Sequence, residues 1–109
     1  MVMITAENEI KKIREALLPV FKNSKAEKVV LFGSLSRGSQ TKKSDLDLMI
    51  ITKTDKRFFE RYEQFEIIHD IINDRAVDML IYTADELSRI SHRPFIKQIL
   101  SEGKTIYES

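Results

Sequence analysis

The 109-residue sequence contains no cysteine, only two histidines, two prolines and three glycines, and no long hydrophobic run. Without cysteine there are no disulfides, no thiolate zinc sites and no thiol nucleophile, a pattern compatible with a reducing compartment. His69 and His92 alone give a transition-metal site little to build on. The apolar runs, such as Val29–Phe32, are four residues long, against roughly 20 needed to cross a bilayer. No membrane span is expected. The amino terminus MVMITAENEIKK lacks a basic segment followed by an apolar one, so no export signal is read and the cytoplasm is the expected location. Net charge is +1, which argues against direct nucleic-acid binding and against adhesion to an anionic membrane.

What remains is an ordinary globular composition, 42% hydrophobic and 32% charged. A chain of this length buries roughly two-thirds of its unfolded surface, and residues 1–109 read as one domain without repeats or linkers. Ile10, Ile13, Leu17 and Phe21 recur at helical spacing behind a Thr5 cap, with Pro19 expected to kink or end the helix. The segment KVVLF, Lys28–Phe32, is a β-branched run closed by Gly33 and reads as a buried strand entering a tight turn. Residues 35–44 are polar and read as a short helical turn plus loop.

A second strand is expected from about Asp45 to Thr52. Lys56–Asn73 carries Phe58, Phe59, Tyr62, Phe65, Ile68 and Ile72 on one helical face and reads as the longest helix, with Glu60, Arg61 and Glu63 outside. Lys53, Lys56, Arg57 and Arg61 read as a solvated helix start. Ala76–Tyr82 is a third strand, and Thr83 with Glu86 has capping-box spacing for a helix to about Ile90. Pro94 opens a last helix carrying Phe95, Ile96, Ile99 and Leu100; Gly103 ends it before a brief strand, Thr105–Tyr107. The order predicts an α/β or α+β fold, a sheet with helices packed on it.

The chemistry concentrates in GSLSRGSQTKKSDLDLMII, residues 33–51. Side chains alternate along a strand, so Asp45 and Asp47 share one face while Leu46, Leu48 and Ile50 take the other. Asp78 interrupts AVDMLIY, where an unpaired buried carboxylate would cost several kcal/mol. If strand three lies beside strand two, about 4.8 Å away, the three acids converge on hard divalent cations such as Mg²⁺. The plainer alternative for Asp78 is a structural acid satisfied by backbone donors or an arginine. Gly33-Ser34 lets backbone approach a phosphate and adds a hydroxyl. Arg37, Lys42 and Lys43 lie where they could neutralise a triphosphate.

A lone GS or DxD is weak; the two joined by ten residues arise by chance in on the order of one chain in a thousand of this size. GSLSRGSQTKKSDLDL resembles the GSX10DXD signature of the minimal nucleotidyltransferases of the DNA polymerase beta-like superfamily, and VDMLIY resembles that family's third-acid strand. The likeness spans nearly the whole chain. It implies the nucleotidyltransferase fold, a mixed β-sheet flanked by helices. It also implies two Mg²⁺ ions on Asp45, Asp47 and Asp78, and ATP as substrate, with Gly33, Ser34, Arg37 and Ser44 around the nucleotide. Small members of this kind are commonly antitoxins encoded beside a HEPN-domain toxin, which makes such a toxin the expected acceptor and a tyrosine hydroxyl the expected target. Ser36 stands where the family pattern has Ala before the Arg-Gly pair, a departure that bears on the shape of the nucleotide loop. Two other readings stay open: an antitoxin that neutralises its partner by binding alone, and a small-molecule adenylyltransferase acting as a homodimer.

Overall fold

The computed structural model describes residues 6–36 and 45–109. The elements follow as α1 (Ala6–Lys22), β1 (Ala26–Phe32), β2 (Leu46–Thr52), a 3-10 helix (Phe58–Phe65), α2 (Ile67–Ile71), β3 (Val77–Tyr82), α3 (Ala84–Ile90), α4 (Pro94–Glu102) and β4 (Lys104–Glu108). The four strands form one mixed sheet in the order β3-β2-β1-β4, with β2 and β3 parallel and the other neighbours antiparallel. The α/β character and the mixed sheet flanked by helices are therefore as expected. No helix among the described residues is long and apolar enough to cross a membrane.

Strand alternation divides the core between the two faces of the sheet. On one face Val29, Leu31, Leu48, Ile50 and Ile81 meet the helical stripe Ile10, Ile13, Leu17 and Phe21 of α1, together with Phe65 and Ile68. On the other, Val30 and Met49 meet Ile96 and Ile99 of α4, with Leu80, Tyr82, Leu87 and Ile90 packed at the margin. Because both faces are covered, β2 is apolar nearly throughout, and its one charged residue, Asp47, stands apart.

Three expectations change. α1 runs through Pro19 to Lys22: proline forfeits a single backbone bond, the Pro19 carbonyl still accepts from Asn23 N–H, and buried Leu17 and Phe21 hold the helix to the sheet. Lys56–Asn73 is not the longest helix; it is a 3-10 segment followed by one short α-helix. In a 3-10 helix residues three apart eclipse, which aligns Tyr62 with Phe65 and Phe58 with Arg61, turning Arg61 inward rather than leaving it with Glu60 and Glu63. Arg61 is 6% exposed. On α4, Ile96 and Ile99 are buried as expected, but Phe95 and Leu100 face solvent. The Thr83–Glu86 capping box, Pro94 in the first turn of α4 and Gly103 after its end appear as read from the sequence.

Candidate active site

The site lies where β1 ends and β2 and β3 begin. The parallel ladder opens with the Leu46 N–H donating to the Ala76 carbonyl, which puts Asp47 directly opposite Asp78. On its other side Asp47 pairs with Phe32, the last residue of β1. Adjacent strands sit about 4.8 Å apart, so the sheet itself presents two carboxylates side by side. Asp45 immediately precedes β2 and is exposed.

Asp78 is also exposed, contrary to the buried acid expected. It shares a face with Leu80 and Tyr82, which are packed against the second core cluster while Asp78 is not. Its charge therefore needs no buried partner, and its ordinary cost is repulsion from Asp47 rather than desolvation.

Gly33 turns the chain with φ of +81°, a region that penalises any residue with a Cβ. A Cβ at that position would also stand 2.2 Å from Asp47 Oδ2. The turn is thus pressed against the Asp47 carboxylate, and a larger residue would have to displace it. The Ser36 hydroxyl donates to the Gly33 carbonyl at 2.9 Å, a tie that alanine could not make. Ser34 lies within this turn. Arg37 and Ser44, with Gly38, Lys42 and Lys43, lie outside the described residues, as does the Thr5 cap.

Among the described residues no group of three or more His, Cys, Asp or Glu could hold a metal ion, so the expected convergence of Asp45, Asp47 and Asp78 is not found; the sheet brings together Asp47 and Asp78. Mg²⁺ takes one or two carboxylates and completes its octahedron with water and substrate phosphates, and this pair of hard oxygen donors fits such an ion.

The 3-10 helix braces the strand that carries Asp78. The Tyr62 hydroxyl donates to the Met79 carbonyl at 2.6 Å, and Arg61 Nη1 donates to the Ile81 carbonyl at 3.2 Å, capping alternate carbonyls on the outer edge of β3. Arg61 also forks onto Glu86 at 2.6 and 2.9 Å and donates through Nε to the Lys56 carbonyl. The Arg61 bond holds the Glu86 carboxyl down at about 2, aided by the Thr83 N–H, and Glu86 in turn raises Arg61. Burial raises the Tyr62 phenol, which keeps its proton for Met79. The sequence placed Tyr62 on an apolar face, Arg61 in solvent and Glu86 in a capping box with Thr83, and did not bring the three together as a brace for β3.

Beside Asp47 is a cavity of about 250 Å³ between the end of β1, at Phe32 and Gly33, and one face of α4, formed by Phe95, Gln98, Ile99 and Glu102. Phe32 and Phe95 meet edge to face with centroids 6.2 Å apart.

Comparison with known proteins places this geometry in context. A family model described as Polymerase beta, Nucleotidyltransferase matches residues 11–109. A relative from Methanocaldococcus jannaschii named Putative protein adenylyltransferase MJ1379 is 30% identical over 98 residues, covering 87% of this chain and 91% of that one. A crystal structure of a toxin-antitoxin with AMP-PNP has a TM-score of 0.66 at 21% identity, over 88% of this chain and 73% of that one. The complex of a tri-AMPylated Shewanella oneidensis HEPN toxin with its MNT antitoxin has a TM-score of 0.59 at 16% identity, over 92% of this chain and 73% of that one. At these identities the two structures speak to the fold.

Proposed function

The chain belongs to the Polymerase beta nucleotidyltransferase family, and from that premise we propose that it transfers AMP from ATP to a tyrosine hydroxyl of a HEPN-type toxin, acting as its antitoxin. The observation that carries this reading is the register pairing of Asp47 with Asp78 against the Gly33 turn. The substrate and partner are supported by the structural relatives, one solved with AMP-PNP and one with an AMPylated HEPN toxin.

In this mechanism Asp47 and Asp78, with Asp45 just ahead of β2, would hold two Mg²⁺ ions. Bound there, the metal lowers the pKa of the acceptor hydroxyl and neutralises charge on the triphosphate. The Gly33-Ser34 turn supplies backbone N–H groups and a hydroxyl to the phosphates, with Arg37 and Ser44 completing the nucleotide site. To Asp78, which is exposed on β3, we assign the proton of the acceptor hydroxyl. A cysteine-free chain that uses ATP suits the reducing, ATP-rich cytoplasm.

The test is incubation with α-labelled ATP, Mg²⁺ and the protein encoded beside this chain. Label should move onto that protein, and the double substitution Asp45→Asn, Asp47→Asn should abolish the transfer. A wild-type complex that forms without label transfer would make the chain an antitoxin by binding alone.

A further inference from the structure

We infer that the cavity between Asp47 and α4 is the seat of the acceptor's phenol ring, with Phe95 as the residue that selects an aromatic acceptor over an aliphatic hydroxyl. The inference rests on the nucleotidyl-transfer reading and adds the side of the site from which the acceptor enters.

Size is the first argument. Pockets for drug-sized ligands run from about 300 to 1,000 Å³; at about 250 Å³ this one falls just below that range and suits a single side-chain ring. Position is the second. Gly33 and Asp47, which the proposed function assigns to the phosphates and the metal, form one end of the cavity and Phe95 lines it from α4, so a ring held beside Phe95 has its hydroxyl at the reacting end.

The third argument is the wall. Phe32 is the register partner of Asp47, and Phe95 meets Phe32 edge to face. An apolar path thus leads from the lip of α4 to the carboxylate. Phe95 is 57% exposed although aromatic, standing at the mouth of a concave site rather than in the core. A third ring inserted beside this pair gains the usual aromatic contacts and brings its hydroxyl toward Asp47. There the hydroxyl oxygen bonds to the α-phosphorus as the bond from that phosphorus to the bridging oxygen breaks. Pyrophosphate leaves with that electron pair, and the phenol proton passes to a carboxylate. Gln98 offers an amide to the acceptor backbone from the same face of α4.

The experiment uses the full chain with its phenylalanines replaced by 4-fluorophenylalanine, followed by fluorine NMR. N-acetyl-tyrosinamide should shift the Phe95 and Phe32 resonances, whereas N-acetyl-serinamide and the non-hydrolysable ATP analogue AMP-PNP with Mg²⁺ should leave Phe95 in place. In transfer assays with a tyrosine peptide, Phe95→Ala should raise the acceptor KM about tenfold, the loss of one ring contact, with the KM for ATP unchanged, and Phe95→Tyr should restore it. Movement of Phe95 by AMP-PNP but not by tyrosinamide would overturn the inference and make the cavity a nucleobase site. Transfer that proceeds with Phe95→Ala kinetically silent would overturn it while leaving the enzyme reading intact. Ring shifts with tyrosinamide but no transfer under any condition would uphold the pocket and defeat the catalytic reading instead.

Discussion

Asp47 and Asp78 face each other across the parallel strands β2 and β3 with no residue between them. Like charges directly opposite in a sheet repel, by a few tenths to about 1 kcal/mol, and a divalent cation bound by both carboxylates would remove that cost. Asp78→Asn should therefore leave the metal-free protein as stable as wild type or slightly more so. The wild type should gain thermal stability with millimolar Mg²⁺ and the variant should not, since only a ligand that binds the native state shifts the equilibrium. Melting curves with and without Mg²⁺ check this, and equal Mg²⁺ responses in the two proteins would remove Asp78 from the metal site.

Gly33→Ala separates folding from function. The added Cβ meets the tip of the Asp47 side chain, which can swing away, and the positive φ costs about 1–2 kcal/mol for a residue with a Cβ. The protein should fold, with urea unfolding shifted by that amount. Its carboxylate is displaced from the one arrangement that matters, so transfer of AMP should fall by a factor of about 100 or more. A variant with near wild-type turnover would mean that the turn does not position Asp47.

The distribution of legible and hidden features has a physical reason. Ile10, Ile13, Leu17 and Phe21 announced their helix because their spacing matches the face that α1 lays on the sheet, and Leu46, Leu48 and Ile50 announced a strand face by their alternation, whereas the similar stripe of Phe58–Ile72 wound mostly as a 3-10 segment. Gly33 and Asp47 were legible as neighbours through their spacing, and the register of β2 on β3 then brought Asp78 beside them. Arg61 was not legible: an arginine among Glu60 and Glu63 reads as solvated on a 3.6-residue helix, and only the tighter winding of the 3-10 segment turns it toward Ile81 and Glu86. Phe95 was hidden in the opposite sense. Its apolarity suggested core, whereas α4 packs through Ile96 and Ile99 and leaves Phe95 over the cavity.

Glu86 makes stability depend on acid. Its carboxyl sits at about 2 in the folded protein against an ordinary 4.5, chiefly through the Arg61 bond. A depressed carboxyl contributes fully above its unfolded value, so the Arg61–Glu86 contribution is complete above pH 4.5 and is lost as pH falls toward 2. At neutral pH, Glu86→Gln should cost about 2 kcal/mol, because buried Arg61 loses its counter-charge while partly open Glu86 softens the penalty. Urea midpoints for the two proteins should converge between pH 4.5 and 2. A gap that stays constant over that range would show that the ion pair is not what Glu86 contributes.

Tyr62→Phe tests whether the edge of β3 matters to the carboxylate it carries. The substitution keeps the ring and removes the donor to the Met79 carbonyl, the residue following Asp78. An ordinary hydrogen bond contributes about 1 kcal/mol net, so a loss of that size in global stability would follow from packing considerations alone. The added expectation is local. With Met79 released, the start of β3 should open more readily than the rest of the sheet, and amide exchange at Asp78, Met79 and Leu80 should accelerate more than at Val29–Leu31 in β1. Because Asp78 would then spend time out of register with Asp47, the Mg²⁺ concentration for half-maximal thermal stabilisation should rise severalfold. A uniform increase in exchange across the sheet with an unchanged Mg²⁺ midpoint would reduce Tyr62 to an ordinary packing residue.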